Sequence, residues 1–164
     1  MHAPSDPAIK GTAEIEAALR EAAGRTELAW NTVTGRRNSE VLAAFEDADA
    51  VVDQLNSENY GVAAIEAMGR GRPVLAEFDP QKLASWGASV PVVRITPETL
   101  TSEIAGLAKD RERRMQLGAA ARAFVEAVHA PERVAAAAEH MYEHVSSAPA
   151  PGVYEATAAG IRAV

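Results

Sequence analysis

The chain has 164 residues, a length that suits one domain with a proper hydrophobic core. Its net charge of −7 argues against nucleic acid or an anionic membrane surface as a partner, despite the basic clusters at Arg36-Arg37 and Arg111 to Arg114. Cysteine is absent, which excludes disulfides and thiolate metal sites and favours a reducing, cytoplasmic setting; the apolar runs are short and broken by charge, so neither a transmembrane segment nor a signal pattern is expected.

In chain order, residues 1–11 read as a loop that leaves the end of a truncated first strand. Thr12 is a candidate N-cap for a helix striped by Ile15, Leu19 and Ala22 and stopped by Gly24. A strand is expected at residues 27–33, with Leu28, Trp30 and Val33 as its larger apolar positions. Asn38 or Ser39 can cap the next helix, which carries Val41, Leu42 and Phe45. The run Ala50-Val51-Val52-Asp53-Gln54-Leu55 suits a buried parallel strand, and a helix is expected over residues 61–70, with Val62, Ile65, Met68 and Gly69 as its apolar stripe. Residues 73–78 form a strand, a turn of helix surrounds Lys82 to Trp86, and residues 90–95 form the last strand. Thr96-Pro97-Glu98 starts a helix through Leu100, Ile104 and Leu107, and two more helices cover residues 111–128 and 132–145. The alternation predicts an α/β fold: a Rossmann-like parallel sheet with helices on both faces over residues 1–145, followed by a flexible tail at 146–164.

Chemistry concentrates in Ser57 to Val74. Residues 56–60 form a strand-to-helix loop, and the free N–H groups and positive dipole end of the following helix make a ready phosphate site. Glu58 stands at its mouth. Glu66 lies five residues into the helix, roughly 7.5 Å along its axis at about 1.5 Å per residue, so the two acids can hold different parts of one extended ligand. An anion between two acids points to a nucleotide sugar. The plainer reading makes Glu66 the partner of Arg70 in a surface pair worth roughly 0.2–0.5 kcal/mol.

Several blocks in order resemble one family. They are His2-Ala-Pro-Ser5, Lys10-Gly11-Thr12, Ala48-Asp49-Ala50-Val51-Val52, the Glu58-x7-Glu66 string with Ala67-Met68 and Gly71-Arg-Pro-Val74, Leu117-Gly118 with Ala121-Arg122, and Val128-His129. Together they resemble the C-terminal, donor-binding domain of retaining glycosyltransferases of the GT-B fold, glycosyltransferase family four, over residues 2 to about 145. The resemblance implies a single GT-B half domain whose substrate is a nucleoside diphosphate sugar. Glu66 would hold the nucleotide ribose and Glu58 the donor sugar. The loop around Asn59, Tyr60, Gly61 and Val62 would meet the diphosphate. Lys10 would neutralise the leaving phosphate, stabilising charge where it develops in the transition state.

No cofactor or metal is expected where lysine and helix dipole supply that charge. Many relatives carry an arginine six residues before the lysine, where this chain has Pro4; Ser5, Arg36 or Arg37 are candidates to replace it. The acceptor-binding domain is expected elsewhere, either in a longer protein of which this chain is a fragment or in a separate chain. A non-catalytic nucleotide-sugar-binding or interaction module is the alternative.

Other constellations weigh less. His140 and His144 share a helix face at a spacing that can ligate zinc but is more often a solvated edge. His129 reads as a favourable cation at a helix C-terminus. Asp53 is either a ligand contact or a partner for nearby amides.

Overall fold

The computed structural model describes residues 1–84, 89–147, 154–157 and 160–163. The chain forms two compact units, Met1–Ala127 and Val128–Val164.

The first unit is a parallel α/β domain of the Rossmann type. Its helices are α1 (Thr12–Ala23), α2 (Asn38–Asp47), α3 (Val62–Gly69), α4 (Pro80–Ala84), α5 (Leu100–Lys109) and most of α6 (Arg111–Val128). Strands β1 (Val51–Val52), β2 (Val74–Ala76) and β3 (Val93–Arg94) pair in parallel, in the order β1-β2-β3. On the far side of β1 the sheet continues as single parallel bridges, His2 to Val52 and His2 to Thr32. Across the sheet the order is therefore Thr32, His2, β1, β2, β3. The chain moves outward from His2 to Thr32 and returns on the other side at β1, so the direction of winding reverses between His2 and β1.

Two-residue periodicity assigns the core. Val52 and Leu75 face one side, where Ile15 and Leu19 of α1 and Leu100, Ile104 and Leu107 of α5 cover them. Val51, Val74 and Ala76 face the other, against Phe45 of α2, Ala64, Ala67 and Met68 of α3, and Ala121 and Phe124 of α6. Helices on both faces were expected, and so was the parallel sheet.

Local details depart from the sequence reading. Thr12 is the first residue of α1, not its cap; the N-cap is Gly11 in the left-handed region at φ 67°, where an added Cβ would also lie 3.1 Å from Leu55 Cβ. The Lys-Gly block thus needs its glycine for both conformation and close approach. Asn38 does not cap α2. Arg37 occupies that position, and its N–H donates to Glu40 Oε2 at 3.1 Å. The buried face of α3 is Ala64, Ala67 and Met68, whereas Val62, in the expected stripe, is 71% exposed. The ladders are shorter than the apolar runs: only Thr32 of 27–33 pairs, and only Val93–Arg94 of 90–95. α4 covers the expected turn up to Ala84, and Trp86 lies outside the described residues.

The second unit contains α7 (Pro131–Ser147) and the antiparallel hairpin β4 (Tyr154–Thr157) with β5 (Gly160–Ala163). The sequence reading placed no strand here. Among the described residues no helix is long and apolar enough to cross a membrane.

Candidate functional site

Lys10, in the loop after His2, and Asp53 and Gln54, in the loop after β1, meet at the point where the winding reverses. They lie at the carboxyl ends of two adjacent parallel segments, the crevice where open α/β sheets bind ligands. Lys10 is 9% exposed. Its Nζ donates to Asp53 Oδ1 at 2.8 Å and to Gln54 Oε1. The other Asp53 oxygen accepts the Gly61 N–H at 2.7 Å, and the Gln54 amide nitrogen donates to the Asn59 carbonyl. One lysine thus ties the His2 loop to the strand end, to the 56–60 loop and to the start of α3.

Gly61 is the N-cap of α3. A Cβ there would lie 2.7 Å from Lys10 Nζ and 3.0 Å from Asp53 Oδ2, so any other residue would displace the Lys10 ammonium from its place, whereas the backbone angle itself does not call for glycine. Of the two readings of Asp53, the structure contains the amide partner, and it adds the Lys10 ion pair. Gln54 was not singled out from sequence. Its signal was a second polar residue ending an apolar run.

The remaining sequence-chosen residues spread over the same face. Glu58 is exposed and ion-paired with Lys82, while its carbonyl accepts the Asp79 N–H at 3.0 Å. It borders a cavity of about 350 Å³ lined also by Asn56, Ser57, Glu77, Asp79 and Arg94, at the carboxyl ends of β1 to β3. Three carboxylates face one guanidinium there, a lining rich in hydrogen-bond acceptors. Asn59 is exposed, and its carbonyl also accepts the Ser57 hydroxyl at 3.1 Å. Tyr60 is core: 8% exposed, it meets Phe124 edge-on at 6.3 Å, and burial raises its phenol pKa. Only its backbone is left for a ligand.

Glu66 is half-buried and accepts the Asn38 amide at 2.9 Å. The Glu66–Arg70 side-chain pair is not formed. Arg70 Nη1 donates instead to the Glu66 carbonyl at 2.9 Å, and its Nε lies 3.7 Å from Glu46. That leaves the Glu66 carboxylate joined to the start of α2, which follows Thr32. Ser5 is exposed, beside the Asp6 carboxylate that accepts the Ala8 and Ile9 amides. Arg36 and Arg37 are exposed and ion-paired with Glu40.

His2, named in the sequence only as part of the His2-Ala-Pro-Ser5 block and given no role there, is fully buried. Its Nδ1–H donates to the Val52 carbonyl at 2.8 Å, so Nε2 accepts from the Thr12 hydroxyl at 2.9 Å. Burial is the largest influence on its pKa and lowers it, keeping the ring neutral. His129 is also lowered by burial, contrary to the expected helix-end cation. Among the described residues no group of three or more His, Cys, Asp or Glu could hold a metal ion, and the His144 side chain lies outside them. The chain matches no protein-family model, and comparison with curated proteins gives no match.

Proposed function

We propose that the chain is the donor-binding half of a retaining GT-B glycosyltransferase. It would hold a nucleoside diphosphate sugar for transfer to an acceptor carried by another domain, in a longer protein or a separate chain, in the cytoplasm. The observation that carries this reading is the meeting of Lys10, the start of α3 and the 56–60 loop at the reversal point of a parallel sheet. The resembling blocks account for the same residues.

In this reading the diphosphate takes the Gly61 end of α3, where fixed N–H groups and Lys10 stabilise the charge that grows on the leaving phosphate. Glu58 and the acceptor-rich cavity beside it suit sugar hydroxyls. Glu66, held by Asn38, suits the two hydroxyls of a ribose. These groups supply positive charge without a metal.

The non-catalytic alternative draws on one observation: Lys10 is already satisfied by Asp53 and Gln54. Calorimetric titration with uridine and guanosine diphosphates and their sugars tests the proposal. We expect binding by the wild type and a loss of at least about tenfold in Glu66→Ala, on the order of 1.4 kcal/mol. Absence of binding by every nucleotide, or binding indifferent to Glu66→Ala, would remove the donor-site reading.

A further inference from the structure

The crevice that holds Lys10 is electrically balanced before anything binds. Among the described residues Lys10 is the only buried lysine or arginine, and Asp53 already neutralises it across 2.8 Å. The Asp53 side chain is 1% exposed and both of its oxygens are taken, one by the Lys10 ammonium and the other by the Gly61 N–H at 2.7 Å. These are the groups that an anion at the start of α3 would claim. The next two amides, of Val62 and Ala63, take no backbone partner among the described residues and continue the same row of donors.

The surrounding groups add no positive charge. Residues 3–9 carry one charged side chain, Asp6, whose carboxylate accepts the Ala8 and Ile9 amides. From the side of β1 come the uncharged Gln54 amide and the His2 ring, which feels the charges of both Lys10 and Asp53 and is held neutral by burial. From the side of α3 comes the Tyr60 phenol, whose pKa burial raises. Arg36 and Arg37 are exposed and paired with Glu40, and Lys82 is paired with Glu58. A diphosphate diester brings two negative charges. Against them the crevice sets one ammonium that is already shared with a carboxylate. A second anion close to a buried carboxylate favours its neutral form, and exclusion of water strengthens that preference.

We propose, building on the donor-site reading, that ligand binding in this crevice is coupled to the uptake of one proton by Asp53. The proton comes from solvent and goes to the carboxylate. The carboxyl O–H then donates to a phosphate oxygen, so Asp53 changes from acceptor to donor, and the Lys10 ammonium passes to the ligand with its full charge. The sign follows from linkage. The complex holds one proton more than the free protein and ligand together, so binding weakens as pH rises, with a limit of about tenfold per pH unit for one proton.

The test is calorimetric titration of the full chain with uridine diphosphate glucose and guanosine diphosphate mannose near pH 7, in Tris and in HEPES buffers, whose ionisation enthalpies differ. These diesters have no proton to exchange near neutrality, whereas the terminal phosphate of a free nucleoside diphosphate titrates at about pH 6 and would obscure the result. We expect the binding heat to differ between the buffers by an amount that corresponds to roughly one proton taken up, and Kd to weaken by about three- to tenfold from pH 7 to pH 8. Asp53→Asn should bind with the same heat in both buffers, and His2→Asn should keep the difference. Wild-type binding with equal heat in both buffers and equal Kd at both pH values overturns the coupling and leaves the donor site standing. This comparison needs no variant, so an Asp53→Asn chain that fails to fold does not spare the proposal. Uptake that persists in Asp53→Asn, or vanishes in His2→Asn, overturns the assignment to Asp53. Binding of neither sugar nucleotide overturns the donor-site reading and the coupling together.

Discussion

Lys10 is an ammonium nearly removed from water, with Asp53 supplying the countercharge and Gln54 a second acceptor. Removing one member strands the other without solvent, which costs about 3–5 kcal/mol for a buried pair. Lys10→Met should therefore destabilise strongly, by about 3 kcal/mol or more in urea unfolding, and Lys10→Met with Asp53→Asn should recover a large part of the loss. Additive losses would show that the two side chains act separately. His2 gives a pH dependence. Its folded-state pKa lies below the ordinary 6.5, so below pH 6.5 the unfolded chain binds a proton that the folded one refuses. Stability is thus full above that pH and falls as pH drops toward the folded-state value. His2→Asn, which keeps an N–H donor near Val52 O, should lower stability at pH 7 by about 1 kcal/mol and shrink the difference between pH 7 and pH 5. An unchanged pH difference would assign the acid sensitivity to other groups.

At the scale of elements, the block Leu117-Gly118 has a structural cause. A Cβ on Gly118 would stand 2.2 Å from the Gly71 carbonyl oxygen, so α6 crosses the turn before β2 backbone to backbone. Gly71 itself has φ 69°. Gly118→Ala should push α6 outward and cost about 2 kcal/mol, a fall in Tm of roughly 4–8 °C; a variant melting with the wild type would mean the contact is slack. The helices of the first unit were legible because each carries its own periodic stripe and boundary residues. α3 was the exception. Met68 and Ile65 of the expected stripe do face the core, but Val62 is exposed, and Ala64 and Ala67, which share the buried side, add too little apolarity to mark it in the sequence. Strand positions were legible from apolar runs, but not their ladder lengths, because pairing depends on the neighbour: residues 28–30 have an apolar pattern, yet among the described residues their backbone groups take no backbone partner. In the site, Gly61 and the helix start followed from local sequence. The Lys10–Asp53 pair, 43 residues apart, needed the topology. The Asn38–Glu66 hydrogen bond needed it too, since it joins two consecutive helices on one face.

For the whole molecule, the winding reversal explains why residues from separate loops converge at all. Loops leaving adjacent parallel strands in opposite directions open a crevice between them, and Lys10 and Asp53 occupy its two lips. An active GT-B site also needs a second domain to exclude water from the reacting carbon. On the proposed function, the chain alone should bind a nucleoside diphosphate sugar without releasing free nucleoside diphosphate from it over hours, as followed by chromatography. Steady release by the chain alone would show that closure by another domain is dispensable.

Asp53 has a further consequence. Its carboxylate already sits between the Gly61 amide and the Lys10 ammonium, where an incoming phosphate oxygen would go. On the proposed function it would act as a built-in competitor: whatever stabilisation it gives the empty protein is subtracted from the affinity of an anion that replaces it. Melting temperature and ligand affinity are thus opposed through one side chain. Selection for a more robust empty chain would tighten this triad at the expense of the site, and selection for tighter binding would loosen the fold at the end of β1.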